Sequence, residues 1–224
     1  MASTSTTPLA PDLPFQYIGG DPALDLVNTV DWTSRGPEQD RLTDFDRLAR
    51  WAEGAGIITA REASSVRARA RAEPRESETA YRNALKARAV LERLFRAIAA
   101  REPQGDALDD FNRLLGRALE GMRITPASAK GRSGRALKLG WGEQGESLES
   151  IIWPVVWSAA ELIVSEEVAR IRICGGVDCG WIYVDRSRNK LRRWCQMETC
   201  GTREKSRRRY KRMRTGGQVD RRSG

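Results

Sequence analysis

The sequence predicts a mainly α-helical protein in two parts: a helical N-terminal domain with one small β-hairpin, and a C-terminal module of a β-hairpin plus a basic helix. Helix-start signals and apolar residues at helical spacing recur up to residue 165, and all four cysteines come later. Charge also divides the chain, since residues 1–169 carry 22 Lys/Arg against 25 Asp/Glu and residues 170–224 carry 17 against 5. We therefore expect two modules with different functions.

Five helices are predicted within the first 120 residues from capping signals and apolar periodicity. The first begins at Asp21-Pro22, which places proline in the first turn. Thr43 with Asp46 and Thr59 with Glu62 give capping boxes for the second and third. The five predicted ranges are approximately 21–30, 43–54, 59–73, 76–101 and 106–120.

The next segment predicts the hairpin of the first domain. Short apolar stretches lie on either side of a turn-rich run between Met122 and Trp141, as in a pair of antiparallel strands. Residues 147–165 return to a helical pattern and form the most apolar segment, with Pro154 near its start. We expect this segment to be the central buried helix.

Four ranges follow from these patterns: a flexible leader at 1–18, a helical domain at 19–168, a cysteine module at 169–214 and a flexible tail at 215–224. Residues 1–14 lack the basic and apolar stretches of a secretory signal, and no apolar run reaches 18 residues. The sequence therefore predicts a cytoplasmic protein without a membrane partner.

Composition argues against several classes of enzyme. The chain has no histidine, which excludes Ser-His-Asp and Cys-His catalytic arrangements and zinc sites with imidazole ligands. It also has no phosphate-binding P-loop, dinucleotide fingerprint or nucleophile elbow. We expect no catalysis, and the net charge of +9 favours an anionic partner.

The cysteines form two pairs with the same spacing, Cys174 with Cys179 and Cys195 with Cys200. In a reducing compartment such a cluster more often binds metal than forms disulfides, although two disulfides or scattered buried thiols are the alternatives. Four thiolates complete the tetrahedral coordination of Zn²⁺ and leave no position for a catalytic water. The sequence thus predicts one structural zinc ion.

Within the module, residues 181–185 alternate like a strand, residues 186–190 form a turn, and residues 191–194 can return as the second strand. Residues 201–214 then predict a helix with eight Lys/Arg and one acid, Glu204. A solvated charged face normally mixes both signs, so this helix favours nucleic acid, with double-stranded DNA before RNA. The predicted DNA contacts are Arg186, Arg188, Arg203, Lys205, Arg207, Arg208, Lys211, Arg212 and Arg214.

These motifs resemble the bacterial CGNR zinc-finger proteins, in which two cysteine pairs flank an aromatic strand and the second pair ends in Cys-Gly-Asn-Arg. Here the last motif is Cys200-Gly201-Thr202-Arg203, so threonine replaces asparagine and the four cysteines are kept. The resemblance extends to Trp181, Asp185-Arg-Ser-Arg-Asn189 and Arg192-Arg-Trp-Cys195. The stretch from Gly19 to Thr29 is similar to the start of the ABATE domain that precedes this finger. The resemblance implies a stress-related transcription regulator.

We therefore predict a zinc-dependent DNA-binding transcriptional regulator that is nucleoid-associated when bound. The N-terminal domain would dimerise and could bind a small-molecule effector, with Asp25 and Asn28 as candidates for a ligand contact or a buried network. Its tryptophans could line such a pocket or simply pack in the core. Trp181 and Tyr183 likewise suit either base stacking or the hairpin core. The alternative function is an interaction adaptor whose zinc module binds an acidic protein or RNA.

Overall fold

The computed structural model describes residues 13–33, 36–126, 137–141 and 147–216, and the protein is mainly helical as predicted. Its helices are α1 (Pro22–Val27), α2 (Phe45–Gly54), α3 (Ala60–Ala72), α4 (Pro74–Ala100), α5 (Gly105–Glu120), α6 (Trp153–Val164) and α7 (Thr202–Gly216). Its strands are β1 (Val30–Thr33), β2 (Gly36–Asp40), β3 (Arg123–Pro126), β4 (Leu137–Gly140), β5 (Ile171–Ile173) and β6 (Ile182–Val184). Short 3₁₀ helices span Leu148–Ile152 and Glu166–Arg170, and a π-helical turn spans Met197–Gly201.

Helix starts follow the capping chemistry of the sequence with one shift. Thr59 and Glu62 form the predicted capping box at the start of α3. At α2 the cap is Asp44 instead of Thr43, because the Asp44 carboxylate accepts the backbone N–H of Arg47 at 2.8 Å. A carboxylate at this position also complements the positive end of the helix dipole.

The first helix is shorter than predicted, and a hairpin that the sequence analysis missed follows it. α1 ends at Val27, and β1 pairs with β2 in antiparallel register with an irregularity between Asp31 and Trp32. Arg88 on α4 fixes this hairpin by donating to the Thr29 hydroxyl at 2.8 Å and to the Asp40 carboxylate. The helical domain therefore contains this hairpin in addition to the predicted one, β3–β4.

The helix at the centre is α4, which contacts α1, α2, α3, α5 and β5. Residues 147–165, predicted as the central helix, divide into a 3₁₀ helix and α6. α6 buries one side of its surface against α1 and α5, while Val164 at its end is 86% exposed. With 27 residues, α4 has the length to contact elements along the whole domain.

The change of charge near residue 170 is not a boundary in the core. Ile171, Ile182 and Val184 from β5 and β6 belong to the same apolar cluster as the buried residues of α1 and α4. The backbone N–H of Val184 also donates to the carbonyl of Gly19 at 2.8 Å. The strands β5 and β6 thus pack in the same core as the N-terminal helices.

The described part of the predicted leader is held against α2. Arg47 donates to the Leu13 carbonyl at 2.6 Å, and the Tyr17 hydroxyl donates to the Trp51 carbonyl at 3.2 Å. Residues 1–12 of the predicted leader and residues 217–224 of the predicted tail lie outside the described residues. Among the residues described, no helix is both long and apolar enough to cross a membrane.

Candidate metal centre and basic helix

The structure gathers all four cysteines at one point. Cys174 follows β5, Cys179 precedes β6, Cys195 precedes the π-helical turn and Cys200 lies within it. Their Sγ atoms all lie within 4.8 Å of one another, and Cys195 Sγ is 3.7 Å from the Sγ atoms of both Cys179 and Cys200. Tetrahedral Zn²⁺ with bonds of about 2.3 Å needs sulfurs about 3.8 Å apart, whereas a disulfide needs about 2.05 Å. The cluster is consistent with one structural zinc ion.

The backbone around the cluster favours the thiolate form of Cys174. Hydrogen bonds among the thiols lower the pKa of Cys174 and raise the pKa of Cys179 and of Cys195. The backbone N–H groups of Cys195 and Gly176 also donate to Cys174 Sγ, at 3.2 and 3.4 Å. A Cβ atom at Gly176 would lie 3.1 Å from Cys200 Cβ, so any other residue here would push the two loops apart by a few tenths of an ångström.

The hairpin of the cysteine module differs from the predicted one. β6 pairs with β5, in register Ile171 with Val184, and residues 191–194 do not form the returning strand. The fully buried Asp185 explains the difference, because its carboxylate accepts the N–H of Ser187 at 2.9 Å and the N–H of Arg192 at 3.0 Å. These bonds hold residues 185–192 as a loop.

Both aromatic residues of the predicted strand are buried. Trp181 is 7% exposed and Tyr183 is fully buried, with its hydroxyl donating to the Arg192 carbonyl at 2.7 Å. Arg41 lies over the Trp181 ring at 5.3 Å from its centroid. Neither ring is available to stack on a base, so both serve the core of the module.

Asn28 and Asp25 form a buried network. The Asn28 side chain donates to the carbonyl of Ile182 and accepts its N–H, both at 2.8 Å. Asp25 accepts the N–H of Gly19 at 2.7 Å, and burial raises the pKa of Asp25 to about 6. Both side chains are bonded within the fold, as the network alternative expects, and a ligand contact at this pair stays a prediction.

The Asn28–Ile182 pair belongs to a set of contacts that joins the two modules, here called the seam. The Trp181 indole N–H donates to the Val30 carbonyl at 2.9 Å. Arg96 on α4 donates to the Gly180 carbonyl at 3.1 Å and lies 4.5 Å from the centroid of the Trp32 ring. The seam therefore fixes the segment between the first cysteine pair and β6 to α1, β1 and α4.

The basic helix α7 begins directly after Cys200-Gly201, as predicted. All its side chains from Lys205 to Arg214 are exposed. Glu204, just before this range, is only 9% exposed and forms ion pairs with Arg207 and Arg208 at 2.9 Å each. From its second turn onward the helix therefore presents cations on all sides except the one that carries Ser206, Tyr210 and Met213.

The predicted DNA-contact residues lie in three places. Arg203 is the second residue of α7 and lines a cavity of about 270 Å³ between the β1–β2 hairpin and the metal centre. Arg188 is exposed in the loop after β6, but Arg186 donates to both oxygens of Glu167 and to the Gly20 carbonyl. The remaining ones are exposed along α7: Lys205, Arg207, Arg208, Lys211, Arg212 and Arg214. Arg209 is also exposed on α7. It was not among the predicted DNA contacts, although it was one of the eight Lys/Arg counted in this helix.

Two family descriptions match consecutive parts of the chain. The ABATE family, described as "Putative stress-induced transcription regulator", matches residues 20–166. The chain belongs to the ABATE family. The CGNR zinc finger matches residues 170–213, so in this ABATE protein the finger contains the cysteine cluster and most of α7. A comparison with curated proteins gives no match.

In the CGNR finger of this ABATE protein, Thr202 occupies the position of the asparagine in the motif. Its hydroxyl donates to the carbonyl of Met197 at 3.2 Å, within the turn that leads into α7. The side chain is otherwise exposed. Threonine at this position thus closes the turn that contains the last cysteine and leads into the basic helix.

Proposed function

We propose that this protein is a zinc-dependent, DNA-binding transcriptional regulator and that α7 makes the DNA contacts. The observation that carries the proposal is the exposure of an almost purely cationic helix directly after the metal centre. Membership of a family described as transcription regulators supports it and argues against an enzyme. We also propose that the chain divides near residue 169 into a helical domain and a DNA-binding finger. The protein would be cytoplasmic, and nucleoid-associated when bound to DNA.

The size and charge of α7 suit the major groove of a duplex. Residues 203–214 contain eight Lys/Arg and span about 18 Å at 1.5 Å per residue. The only acid, Glu204, is turned inward to Arg207 and Arg208. A major groove about 12 Å wide admits such a helix. The phosphates along both edges of the groove would then contact cations of the helix.

Position along α7 suggests a division of roles. Arg203 lies three residues after the last metal ligand, where the backbone is held most firmly, and an arginine can bond guanine through two hydrogen bonds. Lys211, Arg212 and Arg214 are further from that anchor and suit phosphates. Arg186, already bonded to Glu167, has a structural role in this proposal.

Salt titrations on a preferred DNA site and on random DNA test this division. Lys211→Ala should weaken binding equally on both and lower the salt slope by about 0.9, the value for one phosphate contact. Arg203→Ala should instead reduce the preference for the site, by about 1–3 kcal/mol. Arg61→Ala, an exposed arginine on α3, is the control.

Other outcomes separate the alternatives. If neither variant differs from Arg61→Ala on any DNA, α7 is not the DNA-binding element. Tighter binding to RNA or to an acidic protein, weakened by the same variants, would support the adaptor function. Dimerisation through the helical domain stays a prediction, which would let two copies of α7 read two half-sites.

A further inference from the structure

A groove between α4 and α5 has the volume of a ligand site. The 3₁₀ helix at 148–152 closes one side, and the cavity measures about 520 Å³. Binding sites for small molecules are typically about 300–1,000 Å³. The two cavities beside the finger, of about 270 and 170 Å³, are smaller than this.

The floor of the groove is apolar. Ala87 and Ile152 are buried in the core, at 2% and 3% exposure, and Val90 and Leu114 are half-buried against the same core. Such a floor matches a hydrocarbon or aromatic body, because burying apolar surface releases about 25 cal/mol per Å².

The rim of the groove is cationic. It carries four cations, Lys86, Arg93, Arg113 and Arg117, and two carboxylates, Asp110 and Glu149. The carboxylates are shared, since Asp110 accepts from both Arg93 and Arg113 and Glu149 accepts from both Arg117 and Asn83. The lining therefore has a net charge of +2.

Donors remain available at this rim. Lys86 is exposed and makes no hydrogen bond or ion pair within the described ranges. A guanidinium has five N–H donors, and the arginines of the rim each use few of them on Asp110 or Glu149. An added anion could accept from Lys86 and from these arginines without breaking the present pairs.

We propose that this groove binds an amphipathic organic anion, with its carboxylate at the rim and its apolar body on the floor. A neutral ligand of the same shape would leave the +2 rim uncompensated, and a cationic ligand would be repelled. The site does not involve the finger or α7, so it does not depend on the proposed DNA binding.

The test is isothermal titration of the full chain with decanoate, and with decanol and decylammonium as charge controls. Decanoate should bind more tightly than decanol, and decylammonium should not bind. Lys86→Glu and Arg113→Glu should each weaken decanoate by about tenfold, since a charge pair near a protein surface becomes repulsive. Arg75→Glu reverses an exposed charge on the same helix, outside the groove, and should not.

Equal affinity for decanoate and decanol would overturn the proposal, as would equal effects of the Lys86→Glu and Arg75→Glu variants. The groove could instead form an interface between two copies of the chain. Sedimentation would then show dimers that Lys86→Glu disrupts and no decanoate binding, which would also overturn it. Because the variants leave α7 intact, DNA affinity measured in parallel reports separately on the regulator proposal.

Discussion

Replacing Asn28 with alanine should weaken the whole fold and not only the finger. The substitution removes two hydrogen bonds of 2.8 Å and leaves the N–H and carbonyl of Ile182, a fully buried residue, without their partners. Each unsatisfied buried group costs about 1–3 kcal/mol, so the loss is about 2–6 kcal/mol. For a chain of this size, about 2–4 °C per kcal/mol gives a fall in Tm of about 4–24 °C.

Thermal unfolding followed by circular dichroism measures this loss in the zinc-loaded protein. Asn112→Ala is the control, because Asn112 is exposed on α5 and alanine is the better helix former. Hydrogen exchange should also show faster exchange in residues 171–184, which the seam fixes. If the Tm of Asn28→Ala is within about 2 °C of the control, the seam does not stabilise the fold as argued.

Three further predictions concern the metal, the basic helix and pH. Cys179→Ser should reduce bound zinc, measured by elemental analysis, and lower the main unfolding transition because the finger shares the core; an unchanged transition would contradict this. Glu204→Gln should tighten binding to random DNA and steepen its salt dependence, since the change removes a negative charge and frees Arg207 and Arg208; weaker binding would contradict it. The pKa of Asp25, raised by burial from 3.8 to about 6, means that the folded state keeps a proton that the unfolded state loses between these values. Stability should therefore fall by about 3 kcal/mol as pH rises from 4 through 6, and Asp25→Asn should remove this fall in urea titrations; the same pH dependence in both proteins would contradict it.

The sequence was sufficient to predict those features that depend on residues close together in the chain. The spacing of Cys174, Cys179, Cys195 and Cys200 predicts the cluster because each pair lies within one short loop. The capping box at Thr59 is likewise formed by residues three apart.

Contacts between distant residues could not be predicted in the same way. Val30 fits the apolar spacing of α1, yet it begins β1, because its position depends on pairing with Asp40. The partner of β6 depends on the bonds of Asp185, which take up the N–H of Arg192. The pair between Asn28 and Ile182 joins residues 154 positions apart, so no local pattern contains it.

The insertion of β5 and β6 into the helical core limits how this finger can be transplanted. A peptide of residues 169–214 would expose the apolar faces of Ile171, Ile182 and Val184, which the full chain covers. Such a peptide should bind zinc more weakly than the intact protein, because part of the energy that orders the ligands comes from α1 and α4. A hybrid that joins this finger to another regulator would need a matching asparagine and a matching apolar surface to receive its hairpin.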